Sequence, residues 1–134
     1  MFCIFHKIKV MITVLLSLLV SVFPPKENDL TKENLWKTIN EMGIKHPDVV
    51  FAQAILESGE FSSKVCKRNN NLFGMKMPEV RETVAQPGFK GYARYESWVQ
   101  CVYDYKLFQD HMFKKGELSR AQYLRKLNST YSEV

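Results

Sequence analysis

The sequence predicts a mostly helical fold with one small β-hairpin lobe. Two observations support this prediction. Beyond residue 30, apolar residues recur at the spacing of a helix through most of the chain. Between residues 69 and 95 this period disappears, and prolines and glycines interrupt the chain instead. With 134 residues, 46% of them hydrophobic and 25% charged, the chain is long enough for one core and too short for two comfortable domains.

The first predicted helix follows a polar linker. Leu35, Ile39 and Met42 recur at i, i+4 and i+7, which places them on one helical face. Thr31 is the expected N-cap, because its hydroxyl can accept a hydrogen bond from a free amide of the first turn. Gly43 is the expected stop, because glycine readily adopts the left-handed conformation that ends many helices.

A second helix is predicted from Pro47 to Gly59. Proline and the acidic Asp48 are both favoured in a first helical turn. Apolar side chains surround nearly the whole of this segment, which indicates a central helix that is buried on most sides. Gln53 and Glu57 are its polar exceptions. They are four residues apart and therefore lie on one face.

Two short strands are predicted in the stretch without helical period. The segments ETVA, residues 82–85, and GYARY, residues 91–95, are the right length for a small hairpin. Pro78, Pro87 and Gly88 punctuate the chain around them.

Two capping boxes predict two more helices. Ser97 with Gln100 opens the first, and Ser119 with Gln122 opens the second. The first helix carries an apolar stripe that is more typical of a core than of a cofactor site: Trp98, Val102, Tyr105, Phe108 and Met112. The second helix carries Leu124 and Leu127. We expect the chain to stop before the natural last helix of such a fold.

Residues 1–25 are typical of an export signal. Lys7 and Lys9 precede the uncharged apolar run 10–23, which has the length of a signal-peptide core and is short of the roughly 20 residues that span a bilayer. A buried core helix is the alternative, but the segment opens the chain and ends in two prolines, residues 24–25. We expect an exported domain over residues 26–134, in the periplasm, the cell envelope or the medium. The leader is either cleaved or retained as a membrane anchor.

The net charge and the spacing of cysteines and histidines limit which binding partners and metals are expected. The net charge of +5 is modest, and no block of Lys and Arg resembles a nucleic-acid-binding arm. Neither the cysteines nor the three histidines have the spacing of metal ligands, so we expect no metal and no cofactor: Cys66, Cys101, His6, His46 and His111. In an exported domain, Cys66 and Cys101 either pair in a disulfide or pack as small apolar residues.

Glu57 is the first candidate for chemistry. A carboxylate at a helix C-terminus meets the negative end of the helix dipole, and apolar neighbours would add desolvation. Both effects favour the protonated form, which is what a general acid for glycosidic cleavage requires. The alternative is an exposed glutamate on the solvent-facing stripe of the helix, paired with a lysine.

Three motifs in order carry a family resemblance. They are AQAILESG at residues 52–59, NNNLFGMK at residues 69–76 and YESWVQCVYDY at residues 95–105. The sequence resembles the glucosaminidase domain of bacterial wall hydrolases, glycoside hydrolase family 73, whose motifs read A-Q-A-x-x-E-S-G, N-L-F-G-[IM]-K and Y-x-S-W-x-x-S-V-x-D-Y. Cys101 stands at the usual serine of the third motif. The resemblance covers about residues 31–131.

The resemblance implies a fold, an activity and a substrate. The fold would be lysozyme-like, of the α+β class. The activity would be general-acid hydrolysis of the β-1,4 bond after N-acetylglucosamine in the glycan strands of peptidoglycan. The protein would act as a monomer without a cofactor.

The resemblance also implies site residues. Glu57 matches the catalytic acid, and Tyr131 matches the tyrosine of a late motif near that acid. Asn71 and Phe73 lie in the motif that lines the cleft floor, where an amide can bind an N-acetyl group and an aromatic face can carry a sugar ring. Gln53, on the face of Glu57, is expected to bind substrate as well. So is Tyr95, the first residue of the third motif. The neighbouring Asn69 and Asn70 are either loop residues or ligand contacts.

The second carboxylate is not singled out by the motifs. Glu82 is preferred over Glu79 because it lies in the more strand-like segment, and Glu96 follows them. A water-activating carboxylate would stand roughly 6.5–9.5 Å from Glu57 and a nucleophilic one about 5–5.5 Å away, unless the acetamido group of the substrate attacks. Asp104, on the helix with the buried stripe, is expected to hold structure.

The sequence leaves two other functions open. A lytic transglycosylase shares the lysozyme-like scaffold and a lone glutamate, but it would cut after N-acetylmuramic acid and leave an anhydro end. A wall-binding module that has lost activity is the second alternative. Glu57 argues against it, because binding does not require a protonated acid at the end of a helix.

Overall fold

The computed structural model describes residues 29–131, except for the side chain of Tyr131. The predicted leader, residues 1–25, lies outside this range. Within it the chain forms five α-helices and two strands, in the order α1 Lys32–Glu41, α2 Pro47–Glu57, α3 Lys64–Asn69, β1 Gln86–Pro87, β2 Ala93–Arg94, α4 Trp98–Met112 and α5 Arg120–Tyr131. This is the predicted α+β architecture. No helix in the described range is both long and apolar enough to cross a bilayer.

Helix α1 begins and ends where the sequence predicted. The hydroxyl of Thr31 accepts a hydrogen bond from the amide of Asn34 at 3.1 Å. Leu35 and Ile39 are completely buried. The chain leaves the helix through Gly43, whose φ of +64° is accessible to glycine at little cost.

Helix α2 is less enclosed than predicted. Pro47 occupies its first turn, and Val49, Val50 and Ala54 face the core. Phe51 and Ile55 also pack partly against the core. Leu56, however, is 78% exposed, so the predicted burial does not extend to the side of the helix that carries it.

Helix α4 contributes several buried side chains to the core. Val102 and Tyr105 are fully buried, and Trp98 and Met112 nearly so, as the apolar stripe predicted. The ring of Phe73 packs on Tyr105 with 4.2 Å between centroids.

The hairpin is smaller than predicted. Strands β1 and β2 are two residues each and pair antiparallel, with Gln86 opposite Arg94. The predicted strand over residues 82–85 is wrong. Thr83 and the amide of Val84 donate hydrogen bonds to Asp104 of α4, at 2.7 and 3.1 Å, instead of to a neighbouring strand.

Helix α3 was not predicted. It has six residues, too few for apolar residues to recur at a helical period. The local signal was Ser63, whose hydroxyl caps the helix by accepting from the amide of Cys66 at 3.1 Å.

The two described cysteines are free thiols, so a disulfide between Cys66 and Cys101 is not formed. Both are buried, and the Cys101 sulfur accepts a hydrogen bond from the amide of Leu72 at 3.3 Å. Burial raises the pKa of each thiol, which opposes thiolate chemistry. The packing interpretation of these cysteines therefore holds.

Candidate active site

Glu57 lies where two grooves meet. The lobe groove, about 630 Å³, runs between the end of α2, residues 74–81, and α4. The helix groove, about 670 Å³, runs between α2 and α5. Glu57 lines both, and its side chain is exposed. The predicted enclosure of this carboxyl by apolar neighbours is therefore wrong for the free protein. The predicted position at the helix end is correct.

Gly74 brings the main chain close to this carboxyl. Its φ is +64°, and a Cβ placed on it would lie 3.6 Å from Oε2 of Glu57. That distance is an ordinary van der Waals contact, so the local reason for glycine at the fourth position of Asn-Leu-Phe-Gly is its left-handed backbone.

Gln53 shares the helix groove with Glu57, as the four-residue spacing predicted. The hydroxyl of Tyr105 donates to its Oε1 at 2.7 Å, and the same hydroxyl lies 2.6 Å from the hydroxyl of Tyr123. The hydrogen bond from Tyr105 therefore fixes the amide oxygen of Gln53. The amide nitrogen donates to no atom among residues 29–131, so it is the group left for a ligand.

Asn71 does not face either groove. It is 1% exposed, and its Nδ2 donates to the carbonyls of Met75 and Ala93, both at 2.8 Å. Its Oδ1 accepts from the amides of Phe73 and Met75, at 3.3 and 3.1 Å. The predicted contact with an N-acetyl group is therefore wrong, because the side chain is fully engaged in shaping the loop.

Phe73 and Tyr95 are also structural. Phe73 is fully buried against Tyr105, so its ring cannot carry a sugar. Tyr95 is 3% exposed and donates its hydroxyl to Asp104 at 2.8 Å. Burial raises the pKa of Tyr95, so the phenol stays protonated as a donor. The prediction that these two residues bind substrate directly is corrected by their position beneath the cleft.

The other two asparagines hold the hairpin. Asn69 donates to the carbonyl of Phe89 at 3.2 Å and accepts from the amide of the same residue at 3.0 Å. Asn70 donates to the carbonyls of Tyr95 and Glu96 at 3.0 and 3.1 Å. Of the two interpretations, the structure supports the loop role.

Asp104 ties the β lobe to helix α4. It is completely buried and forms a salt bridge with Arg81 at 2.9 Å, while Thr83 and Tyr95 also donate to it. Burial alone would raise the pKa of Asp104, but these hydrogen bonds outweigh burial and lower it. Arg81 in turn lines the lobe groove, so Asp104 holds one wall of the cleft. The predicted structural role is confirmed.

Comparison with known proteins identifies the family. The family model described as mannosyl-glycoprotein endo-beta-N-acetylglucosaminidase matches residues 32–134, most of the chain. The chain belongs to the glucosaminidase family. Protein bax of Escherichia coli (strain K12) is 37% identical over 99 residues, which are 72% of this chain and 36% of that protein. The chain thus spans little more than a third of this relative. No solved structure matches significantly.

In this glucosaminidase domain, Glu79 rather than Glu82 shares a groove with Glu57. Glu79 lines the lobe groove. Glu82 is exposed but is not among the lining residues of either groove; its carbonyl accepts from Arg81 at 2.8 Å. Glu96 is exposed beside the cap of α4 and lines neither groove. The geometry therefore reverses the predicted order of the candidates.

Tyr131 is the last described residue of α5, and its side chain lies outside what the structure describes. Its neighbour Thr130 lines the lobe groove, so this end of α5 reaches the site.

Tyr92, Phe108 and His111 are among the residues of the lobe groove that were not predicted as site residues. The helical stripe predicts Phe108 as a core residue, and it does pack edge-on against Tyr105, with centroids 5.4 Å apart. Tyr92 lies in a predicted strand, and His111 lacks the spacing of a metal ligand, so neither carries a sequence signal for this groove. Phe108 and His111 reach this groove because helix α4 passes beside the lobe, and the local sequence does not encode this arrangement.

Proposed function

We propose that the protein hydrolyses the glycan strands of peptidoglycan, cutting the β-1,4 bond after N-acetylglucosamine, with Glu57 as the general acid. Membership of the glucosaminidase family supports the substrate class. The observation that carries the role of Glu57 is its position: it is the residue that the lobe groove and the helix groove share. A glycan laid through both grooves would have sugars on either side of this carboxyl.

Glu57 would protonate the oxygen of the leaving sugar. Helix α2 ends at Glu57, which places this carboxyl where the lobe groove and the helix groove meet. In the free protein the side chain is exposed, so bound substrate would displace water from around it.

Glu79 would be the second carboxylate. It lines the same groove as Glu57, which Glu82 does not. On the face of the sugar opposite the leaving group, it would accept a proton from the attacking water. Attack by the substrate's own acetamido group would not need this residue, so the two mechanisms differ in the cost of removing it.

The test is the chemistry of the products. Purified peptidoglycan is digested, and the ends of the released fragments are determined by mass spectrometry after reduction. We expect reducing N-acetylglucosamine ends, and none from a Glu57→Gln protein with unchanged melting. Anhydro-muramic ends would show a lytic transglycosylase instead. Binding without release of fragments would show a binding module. Near-wild-type hydrolysis by Glu57→Gln would remove Glu57 from the mechanism.

We also propose export of the domain, since its substrate lies outside the inner membrane and Lys7 and Lys9 precede the apolar run 10–23. The full chain fused to a reporter that is active only outside the cytoplasm should give signal, and the chain lacking residues 1–25 should not. A reporter active only in the cytoplasm, fused to the full chain, should stay silent; signal from it would contradict export.

A further inference from the structure

The helix groove carries a cation without a partner. Arg120 and Arg125, both on α5, line this groove. Arg120 pairs with Asp48 across the groove, and the hydrogen bond from Arg120 lowers the pKa of that carboxyl. Arg125 is exposed and has no ion pair or hydrogen bond with any residue of the described range. Its guanidinium is therefore the free positive charge of the groove.

Polar donors and apolar surface surround Arg125. Asn128, three residues further along α5, lines the same groove, so the two side chains are neighbours on one helical face. Gln53 faces them from α2 with its amide nitrogen available. The exposed side chains of Leu56 and Leu124 supply apolar surface, 78% and 44% accessible.

This combination suits a particular ligand chemistry. Apolar surface packs against the face of a sugar ring, amide groups bind hydroxyl or acetamido groups, and a guanidinium binds a carboxylate through two parallel hydrogen bonds. A neutral sugar polymer would leave the charge of Arg125 without a counterpart. In peptidoglycan, the muramic sugar carries a lactyl group that ends in a carboxylate or continues into a peptide with carboxylates of its own.

We infer that the helix groove binds the carboxylate-bearing substituent of the muramic sugar and that Arg125 is its contact. This inference rests on the proposed function, because it names the substrate side of the same cleft. Arg125 would then distinguish acidic wall glycan from neutral N-acetylglucosamine polymers, through binding and not through the chemical step.

The test measures binding in a Glu57→Gln background, so that the strands stay intact. Three probes are used. The first is glycan strands with their peptides, and the second is strands from which an amidase has removed the peptides, so that each muramic sugar carries a free lactyl carboxylate. The third is neutral N-acetylglucosamine oligomers. Arg125→Gln should weaken binding of at least one acidic probe about three- to tenfold and leave the neutral oligomers unchanged. The loss should shrink at high salt, because the contact is exposed.

The acidic probes identify the source of the carboxylate. A loss on the stripped strands assigns the contact to the lactyl group. A loss confined to strands with peptides assigns it to the peptide. Equal weakening on neutral and acidic probes, or no weakening on any, overturns the inference. Arg94→Gln is the matched control, because Arg94 is an exposed arginine of the hairpin that lines neither groove.

Hydrolysis measured separately in the wild-type background keeps the two proposals apart. We expect Arg125→Gln to raise KM on acidic strands and to leave kcat unchanged. A parent protein that binds strands without cutting them contradicts the proposed function alone. An Arg125→Gln protein that binds and cuts every probe as its parent does contradicts the inference alone.

Discussion

At the scale of single residues, the proposed chemistry depends on a carboxyl whose surroundings come from distant parts of the chain. Glu57 ends helix α2, the backbone of Gly74 lies close to its Oε2, and Glu79 lines the lobe groove with it. Gln53, one turn earlier on α2, continues this polar face into the helix groove. The motif residue Asn71 has a structural role instead, since it is buried and fully hydrogen-bonded.

The two carboxylates of the lobe can be separated by substitution. We expect Glu79→Gln to lower kcat about 10²–10⁴-fold, the usual contribution of a general base, and Glu82→Gln to leave it near the wild-type value. The measurement is release of reducing ends from peptidoglycan, with a thermal melt of each variant. Glu82 is the matched control, being an exposed glutamate of the same lobe that lines neither groove. Wild-type activity of Glu79→Gln would instead favour attack by the acetamido group.

Phe73 should behave as a core residue. Because its ring is fully buried against Tyr105, we expect Phe73→Ala to lower the free energy of unfolding by about 3–5 kcal/mol. Denaturant titration measures this loss. Leu56→Ala is the control, since that apolar side chain is 78% exposed and should change stability by less than about 0.5 kcal/mol. Unchanged stability of Phe73→Ala, with weaker glycan binding, would restore the predicted role as a sugar platform.

At the scale of elements, the small hairpin is held by side chains rather than by its own ladder. Strands of two residues contribute few hydrogen bonds, and an isolated hairpin of any size is marginal in water. Asn69 bonds the turn at Phe89, and Asp104 bonds the segment 81–84. The lobe wall of the cleft is thus positioned by helices α3 and α4.

Gly88 lies in a closely packed part of this hairpin. A Cβ on Gly88 would lie 2.7 Å from Cβ of Arg94 and 2.8 Å from Nδ2 of Asn69, closer than such atoms approach. We therefore expect Gly88→Ala to cost about 1–3 kcal/mol of unfolding free energy by pushing the hairpin off Asn69. Denaturant titration checks the cost, and Gln86→Ala, at an exposed strand position, is the control. Equal stability of the two variants would show that the hairpin adjusts freely.

At the scale of the whole molecule, stability should depend on pH through the contact between lobe and helices. The pKa of Asp104 lies below its ordinary value of 3.8 in the folded protein. Its stabilising contribution is therefore complete above pH 3.8 and is lost as the pH falls through the lower folded value. Acid should loosen the lobe from α4, because the charge of Arg81, itself almost buried, loses its counterion.

Asp104→Asn tests this dependence. At about pH 7 we expect the variant to be about 3–5 kcal/mol less stable, because a buried arginine loses its charged partner. As the pH falls through the lowered pKa of Asp104, the wild-type carboxyl gains a proton, so the difference should narrow. Denaturant titrations at a series of pH values from about 7 downward measure it. Asp110→Asn, at an exposed position of the same helix, serves as the control. A difference that stays constant with pH would contradict the role of the ionised Asp104.

The sequence by itself determined what is encoded within a few neighbouring residues. Caps, capping boxes and helix stops were predicted correctly at Thr31, Gly43, Ser97 and Ser119, because these signals act over three or four positions. The shared face of Gln53 and Glu57 followed from the helical period alone. The three ordered motifs indicated the family, which the family match over residues 32–134 confirms.

Only the tertiary structure decided which motif residues can meet a substrate. Phe73 packs on Tyr105 and Tyr95 donates to Asp104, both residues of helix α4. Asn71 is instead held by the backbone of Phe73, Met75 and Ala93. A motif shows that a residue is needed but not which way its side chain faces. Helix α4 also carries His111 to the groove that Glu57 lines, although the two are far apart in sequence. Groups that meet through long-range packing leave no local period, so their meeting is visible only once the chain is folded.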